Sequence, residues 1–169
     1  MSGINDKDSC QAKPWQLEAE IELKVLDQRF KDGTFPLPQY ESAMAAAVDL
    51  RAMVAQDKVL EPGQCELIPT GIAIFINNPF LCATILPRSG LGYKQGIVLG
   101  NLTGLIDADY QGELKVPLWN RSREPFTVHA GDRIAQMMFL PVVRATFKEV
   151  DEFHASERGT SGFGSTGHR

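Results

Sequence analysis

The sequence predicts an all-β fold, a barrel or jelly-roll sandwich, on three observations. Apolar residues recur with period two, turn signals return at short intervals along the 169 residues, and no long amphipathic helix interrupts them. Residues 1–14 are polar and end at Pro14, which reads as a loose leader. Ile21, Leu23 and Val25 then alternate with Glu20, Glu22 and Lys24, a strand with one face inward. The run Ile72, Ala73, Ile74, Phe75, Ile76 is apolar on both faces, as in a strand inside the core or at a subunit contact. A short helix is expected near Ser89 to Tyr93. Leu114, Val116 and Leu118 alternate with Glu113, Lys115 and Pro117, a second strand with one face inward. Turns are marked by Pro62-Gly63, Asn77-Asn78-Pro79, Gly90 to Gly92, Gly100-Asn101 and Gly131-Asp132. An acidic, aperiodic stretch from Glu149 to Glu157 leads into a glycine-rich tail and reads as a tether. The expected division is a leader over 1–14, one barrel domain over 15–150, and a tether with terminal arm over 151–169.

A chain of this length can bury roughly two thirds of its unfolded surface without staples. The net charge of −4 argues against nucleic acid as a partner, because phosphate neutralisation calls for a basic patch. A small anionic ligand needs only a few local cations and amides. Cys10, Cys65 and Cys82 are odd in number and widely spaced, which gives neither a disulfide frame nor a zinc knuckle and predicts reduced thiols in the cytoplasm. No apolar run reaches membrane-spanning length, and no basic segment followed by an apolar one opens the chain, so no membrane contact or signal peptide is expected. His129, His154 and His168 have no spacing that would gather them around a metal, so a metal is expected to arrive with its ligand.

Five segments rich in Gly, Asp, Arg and Ser punctuate the strands. In Ala47-Val48-Asp49-Leu50-Arg51-Ala52 an acid and a base flank a leucine, which is either a functional pair or a charged strand edge. Pro87-Arg88-Ser89-Gly90 joins a guanidinium, a hydroxyl and free amides at a helix start, a phosphate site or a simple turn. Gly100 to Gly112 reads as a β-hairpin pocket. Within it the Asn101 amide can pair with a pyrimidine edge, having both donor and acceptor. Asp107 follows the apolar pair Leu105-Ile106, which would partly desolvate a carboxylate acting as a base toward water, although Asp107 and Asp109 also suit a strand end. In Gly131-Asp132-Arg133-Ile134-Ala135-Gln136, Arg133 and Gln136 either contact phosphate or close a hairpin. The tail from Arg158 to Gly167 has groups to wrap a nucleoside polyphosphate: an arginine fork, glycine-rich amides, and Phe163 as a stacking face. It equally describes a polar terminus.

In this order the segments PRSGLG, GIVLGN, GLIDADYQG, GDRIAQM and GFGSTG resemble the motifs of the trimeric deoxyuridine triphosphatases, most closely the bacterial ones, over about residues 20–167. This chain departs from the usual pattern at Met44, Ala45, Ala46 and Ala47 before the first motif and at Ser161 in the tail.

The resemblance implies a jelly-roll-like β-clip barrel, a homotrimer with a mobile Gly-rich C-terminal arm, and sites drawing on more than one subunit. It implies hydrolysis of dUTP to dUMP and pyrophosphate by water attacking the α-phosphate, with Mg²⁺ held across the phosphates. By that similarity Asp107 orients and deprotonates the water, and Asp49 reaches the metal through water. Arg88, Ser89, Gly90 and Gln136 cradle phosphates. Asn101, Leu105, Ile106 and the backbone of Lys115 recognise uracil, and Tyr110 packs under the deoxyribose, leaving no room for a 2′-hydroxyl. Arg158, Gly164 and Ser165 clamp the phosphates from the arm while Phe163 stacks on the base. Two rivals are disfavoured by the residues: a dCTP deaminase would lack the Phe163 tail, and a non-catalytic nucleotide sensor need not keep Asp49, Asp107 and Arg158 together.

Overall fold

The computed structural model describes residues 19–156 and 159–160. The leader over 1–14, Cys10 and His168, together with Arg158, Phe163, Gly164 and Ser165 of the arm, lie outside the described residues. The elements run β1 (Glu22–Val25), α1 (Gln28–Lys31), β2 (Val48–Arg51), β3 (Lys58–Leu60), β4 (Cys65–Phe75), β5 (Leu81–Pro87), α2 (Ser89–Gln95), β6 (Ile97–Leu99), β7 (Gly104–Ile106), β8 (Glu113–Asn120), β9 (Phe126–Val128) and β10 (Arg133–Pro141). They form two four-stranded sheets, β1-β4-β8-β6 and β2-β10-β5-β7, and a two-stranded ribbon, β3-β9. The all-β expectation holds.

Alternation along β8 buries Leu114, Val116 and Leu118, while β4 carries the doubly apolar run, with Ile72, Ala73 and Ile74 all buried. Ile72, Ile74, Leu114, Val116 and Leu118 join Leu50, Ile85, Ile134 and Met137 of the other sheet and Leu60 and Val128 of the ribbon in one apolar cluster. Fully burying an aliphatic side chain of this size contributes about 1.5–3 kcal/mol, which makes this cluster the main source of stability. A polar staple crosses it at Asn120, which is wholly buried: its amide donates to the Leu60 and Glu124 carbonyls at 2.8 Å each, and its Oδ1 accepts from Ser122 Oγ at 2.7 Å.

Three expectations need correction. Gly90 and Gly92 lie inside α2, the expected short helix, which runs to Gln95 and closes on Gly96 at φ 68. The segment Gly100 to Gly112 is not a two-strand hairpin, because β7 pairs with β5 while β8 belongs to the other sheet. Gly104 permits that choice: a Cβ there would stand 3.1 Å from the Cβ of Ile85, so only glycine lets β7 close onto β5 without displacing its neighbour. Leu23, expected to face inward, is 38% exposed because β1 is an edge strand.

Candidate active site

Register assembles the first cluster. Asp49 on β2 faces Gln136 on β10, and Gln136 faces Leu86 on β5, so three segments distant in sequence meet across neighbouring strands. Gln136 Nε2 donates to the Pro87 carbonyl at 3.0 Å and fixes the chain just before Arg88. Asp49 takes both arginines: Arg88 Nε lies 2.9 Å from its Oδ1 and Arg133 Nη1 lies 3.0 Å from its Oδ2. Arg88 Nη1 also donates to the Arg133 carbonyl at 3.2 Å. Around this knot opens a groove of about 490 Å³, lined by Asp49, Arg88, Ser89, Gly90, Arg133 and Gln136 together with Glu41, Ala47, Leu91, Lys94 and Gln95. Cations outnumber carboxylates there, and a hydroxyl stands among them, a chemistry that suits a polyphosphate. Arg51, the other charge of the first segment, turns elsewhere and donates to the Gly131 carbonyl at 2.9 Å.

The second cluster lies where β7 leaves its sheet. Leu105, Ile106, Asp107, Tyr110 and Lys115 line a hollow of about 400 Å³ with Leu67, Glu113 and Leu114. Its walls are apolar and open: Leu67 is 58% and Leu105 65% exposed. Flat apolar walls with a carboxylate at the rim can hold a planar base and present a proton acceptor beside it. Tyr110 donates its hydroxyl to the Glu113 carbonyl at 3.0 Å, and its amide donates to the Asp107 carbonyl at 3.2 Å, so the turn between them is closed. Asn101 is exposed and does not line this hollow. Asp107, expected to be partly desolvated, is exposed, since β7 is an edge strand with no neighbour on its outer side among the described residues.

The two clusters share no lining residue. Ile106 pairs with Ala83, which carries Asp107 toward the Leu81 end of β5, whereas Arg88 follows Pro87 at the other end. The span from Cys82 to Arg88 is roughly 20 Å at the rise of an extended strand. Within one chain the two clusters therefore stand apart. Among the described residues, no group of three or more His, Cys, Asp or Glu side chains is arranged to hold a metal, and no helix is long and apolar enough to cross a membrane. Cys65 and Cys82 are free thiols.

Glu41, Lys94 and Glu113 were not foreseen from sequence. Lys94 carried a usable signal, since it stands four residues after Gly90 on a helix and so shares its face. Glu41 precedes its strand in an irregular segment and carried none.

The dUTPase family model matches residues 34–167. The chain is 58% identical over 151 residues to the deoxyuridine 5′-triphosphate nucleotidohydrolase of Shewanella loihica, covering 89% of this chain and 99% of that protein. The protein of the same name from Neisseria meningitidis serogroup B gives 58% identity with the same coverage of both chains. Among solved structures, the dUTPase of Staphylococcus bacteriophage 80alpha with dUPNHPP matches at a TM-score of 0.75 and 27% identity, over 88% of this chain and 98% of that one. By sequence and by fold, the chain belongs to the dUTPase family.

Proposed function

We propose that this chain is a dUTP diphosphatase, hydrolysing dUTP to dUMP and pyrophosphate by attack of water on the α-phosphate. The observation that carries the reading is the knot of Asp49, Arg88, Arg133 and Gln136 around a cationic groove, in a chain that also holds Asp107 beside an apolar hollow. Asp107 accepts the proton of the attacking water. Leu105, Ile106 and the backbone of Lys115 hold uracil with Asn101, and Tyr110 lies under the deoxyribose. Arg88, Ser89, Gly90 and Gln136 bind the phosphates and neutralise charge moving onto the leaving pyrophosphate, where preorganised donors contribute most. Arg158, Gly164 and Ser165 add phosphate contacts from the arm, and Phe163 covers the base, excluding water as a lid does.

The distance between the two clusters supports a homotrimer in which the Asp107 hollow of one subunit meets the Arg88 groove of another. The donor set fits a Mg²⁺ carried by the triphosphate: both Asp49 oxygens are engaged by guanidinium groups, which suits contact with the ion through water and not a protein-built cage. When bound, the ion supplies charge neutralisation across the phosphates. The free thiols suit a cytoplasmic setting. There the reaction limits uracil entering DNA and provides dUMP for thymidylate synthesis.

Incubation of the pure protein with dUTP or dCTP and Mg²⁺ tests the reading. Pyrophosphate from dUTP without ammonia from dCTP is expected, and ammonia release or no turnover of dUTP refutes it.

A further inference from the structure

The start of β8 is held by side chains where its ladder fails. Lys115 faces Pro69 and Glu113 faces Ala73, so β4 carries extra residues opposite this point and the regular pairing breaks. Thr70 Oγ1 donates to the Leu114 carbonyl at 2.6 Å, and the Gly71 amide donates to Glu113 Oε1 at 3.1 Å. Gly71 is buried at φ 68, and its carbonyl already accepts from the Leu26 and Asp27 amides at 2.8 and 3.1 Å. No larger residue fits at this position, since an added Cβ would stand 2.6 Å from Asp27 Cβ and 2.9 Å from Met53 Cγ. Glu113 Oε2 lies 3.6 Å from Lys115 Nζ, so both carboxylate oxygens are engaged.

Tyr110 rests on this anchored residue. Its hydroxyl donates to the Glu113 carbonyl at 3.0 Å, and its ring lies so close to Gly112 that an added Cβ there would collide with the hydroxyl and with Cζ. A hydrogen bond to a carbonyl is directional, so the ring takes its place from the orientation of that one peptide.

We propose that Glu113 is a positioning residue for sugar selectivity: its carboxylate, bridging the β4 bulge at Gly71, fixes the carbonyl that holds the Tyr110 ring where a 2′-hydroxyl would go. The inference rests on the reading of Tyr110 as the ring beneath the deoxyribose. Removing the carboxylate leaves the buried Gly71 amide without its acceptor and frees the 113–114 peptide, which carries the Glu113 carbonyl, to turn. The ring then yields, and a ribonucleotide gains room.

The test is kcat/KM of the full-length protein for dUTP and UTP. E113A lowers the dUTP-to-UTP ratio roughly three- to tenfold, the size of effect one lost hydrogen bond produces. E113Q, which keeps an acceptor for Gly71, restores most of the ratio. Y110F lowers it similarly, and the Y110F/E113A double variant loses no more than the larger single effect, because both act through one contact. A residue that merely stabilised the fold would depress both substrates alike, so an unchanged ratio in E113A, or additive losses in the double variant, overturns the proposal. Should E113A not fold, E113D decides by the same ratio, lowered if the proposal holds and unchanged if it does not. Y110A separates the inference from its premise: a wild-type ratio in Y110A removes the reading of Tyr110 itself, whereas loss of selectivity in Y110A with none in E113A removes only the role of Glu113.

Discussion

Asp107 and Arg88 stand at opposite ends of β5, one beyond the Ala83–Ile106 pair and the other just past Pro87. On the proposed reading Asp107 activates water and Arg88 binds phosphate of the same nucleotide, so their separation along β5 calls for a second chain to complete the site.

Asp107→Asn removes the proton acceptor without changing the size of the side chain. Hydrolysis of dUTP is expected to fall by roughly 10²–10⁴-fold, the contribution of a positioned general base. Binding of a dUTP analogue, measured by calorimetry, stays close to that of the unaltered protein. Turnover near the original rate would remove Asp107 from the mechanism.

Mixing two inactive variants addresses the division between subunits. Asp107→Asn and Arg88→Ala are each expected to be nearly inactive, while co-expressed chains carrying one change each regain activity. Recovery requires that an intact Asp107 meet an intact Arg88 from another chain. Mixed oligomers without recovered activity would mean that each protomer completes its own site.

Truncation after Ser156 removes Arg158 and Phe163, while the buried apolar cluster lies wholly within the retained chain. Thermal stability and oligomer size are expected to stay the same while hydrolysis collapses. The dUTP analogue should lose more affinity than dUMP, which has no γ-phosphate to clamp. Equal losses for the two ligands would argue against a triphosphate-binding arm.

Asp27 gives a pH-dependent prediction about stability. It caps α1, accepting from the Arg29 amide at 2.9 Å, and its carboxylate takes Arg29 Nε and Nη2 at 2.9 and 2.7 Å. The side-chain hydrogen bonds from Arg29 hold its carboxyl below the usual carboxylate value, against a smaller opposing effect of burial. A carboxyl lowered in the folded state contributes its full stability above the unfolded value, about 4. That contribution is lost as pH falls through the folded value. Asp27→Asn is therefore expected to cost about 1–2 kcal/mol at neutral pH, after allowance for partial exposure of the pair. The difference from the unaltered protein should shrink below pH ~4. Denaturant titrations at both pH values check it, and a constant difference would contradict the pairing.

Most of the strand pattern was legible because β8 and β4 are long enough for their apolar residues to declare a period. The partner of β7 was not. Three residues carry too little pattern to choose a neighbour, and what decides is the fit of Gly104 and Ile106 against Ile85 and Ala83, which only the folded sheet supplies. The helix α1 was also missed, since four residues span barely one turn and only the Asp27 cap marks them. Of the residues singled out in sequence, Asp49, Arg88 and Gln136 line one groove. Their separation from Asp107 was not legible, because strand order within a sheet leaves no trace in local sequence.

Asp49 also gives the groove its own counter-ion. Before any nucleotide arrives, its two oxygens already compensate Arg88 and Arg133, so these cations gather few ions from solution. On the proposed reading an incoming triphosphate would replace Asp49 as the partner of these guanidinium groups, and the freed Asp49 carboxylate would hold the water shell of the accompanying Mg²⁺. Affinity should accordingly change less with ionic strength than the number of cations in the groove suggests, since much of the attraction is traded within the protein where screening is weak.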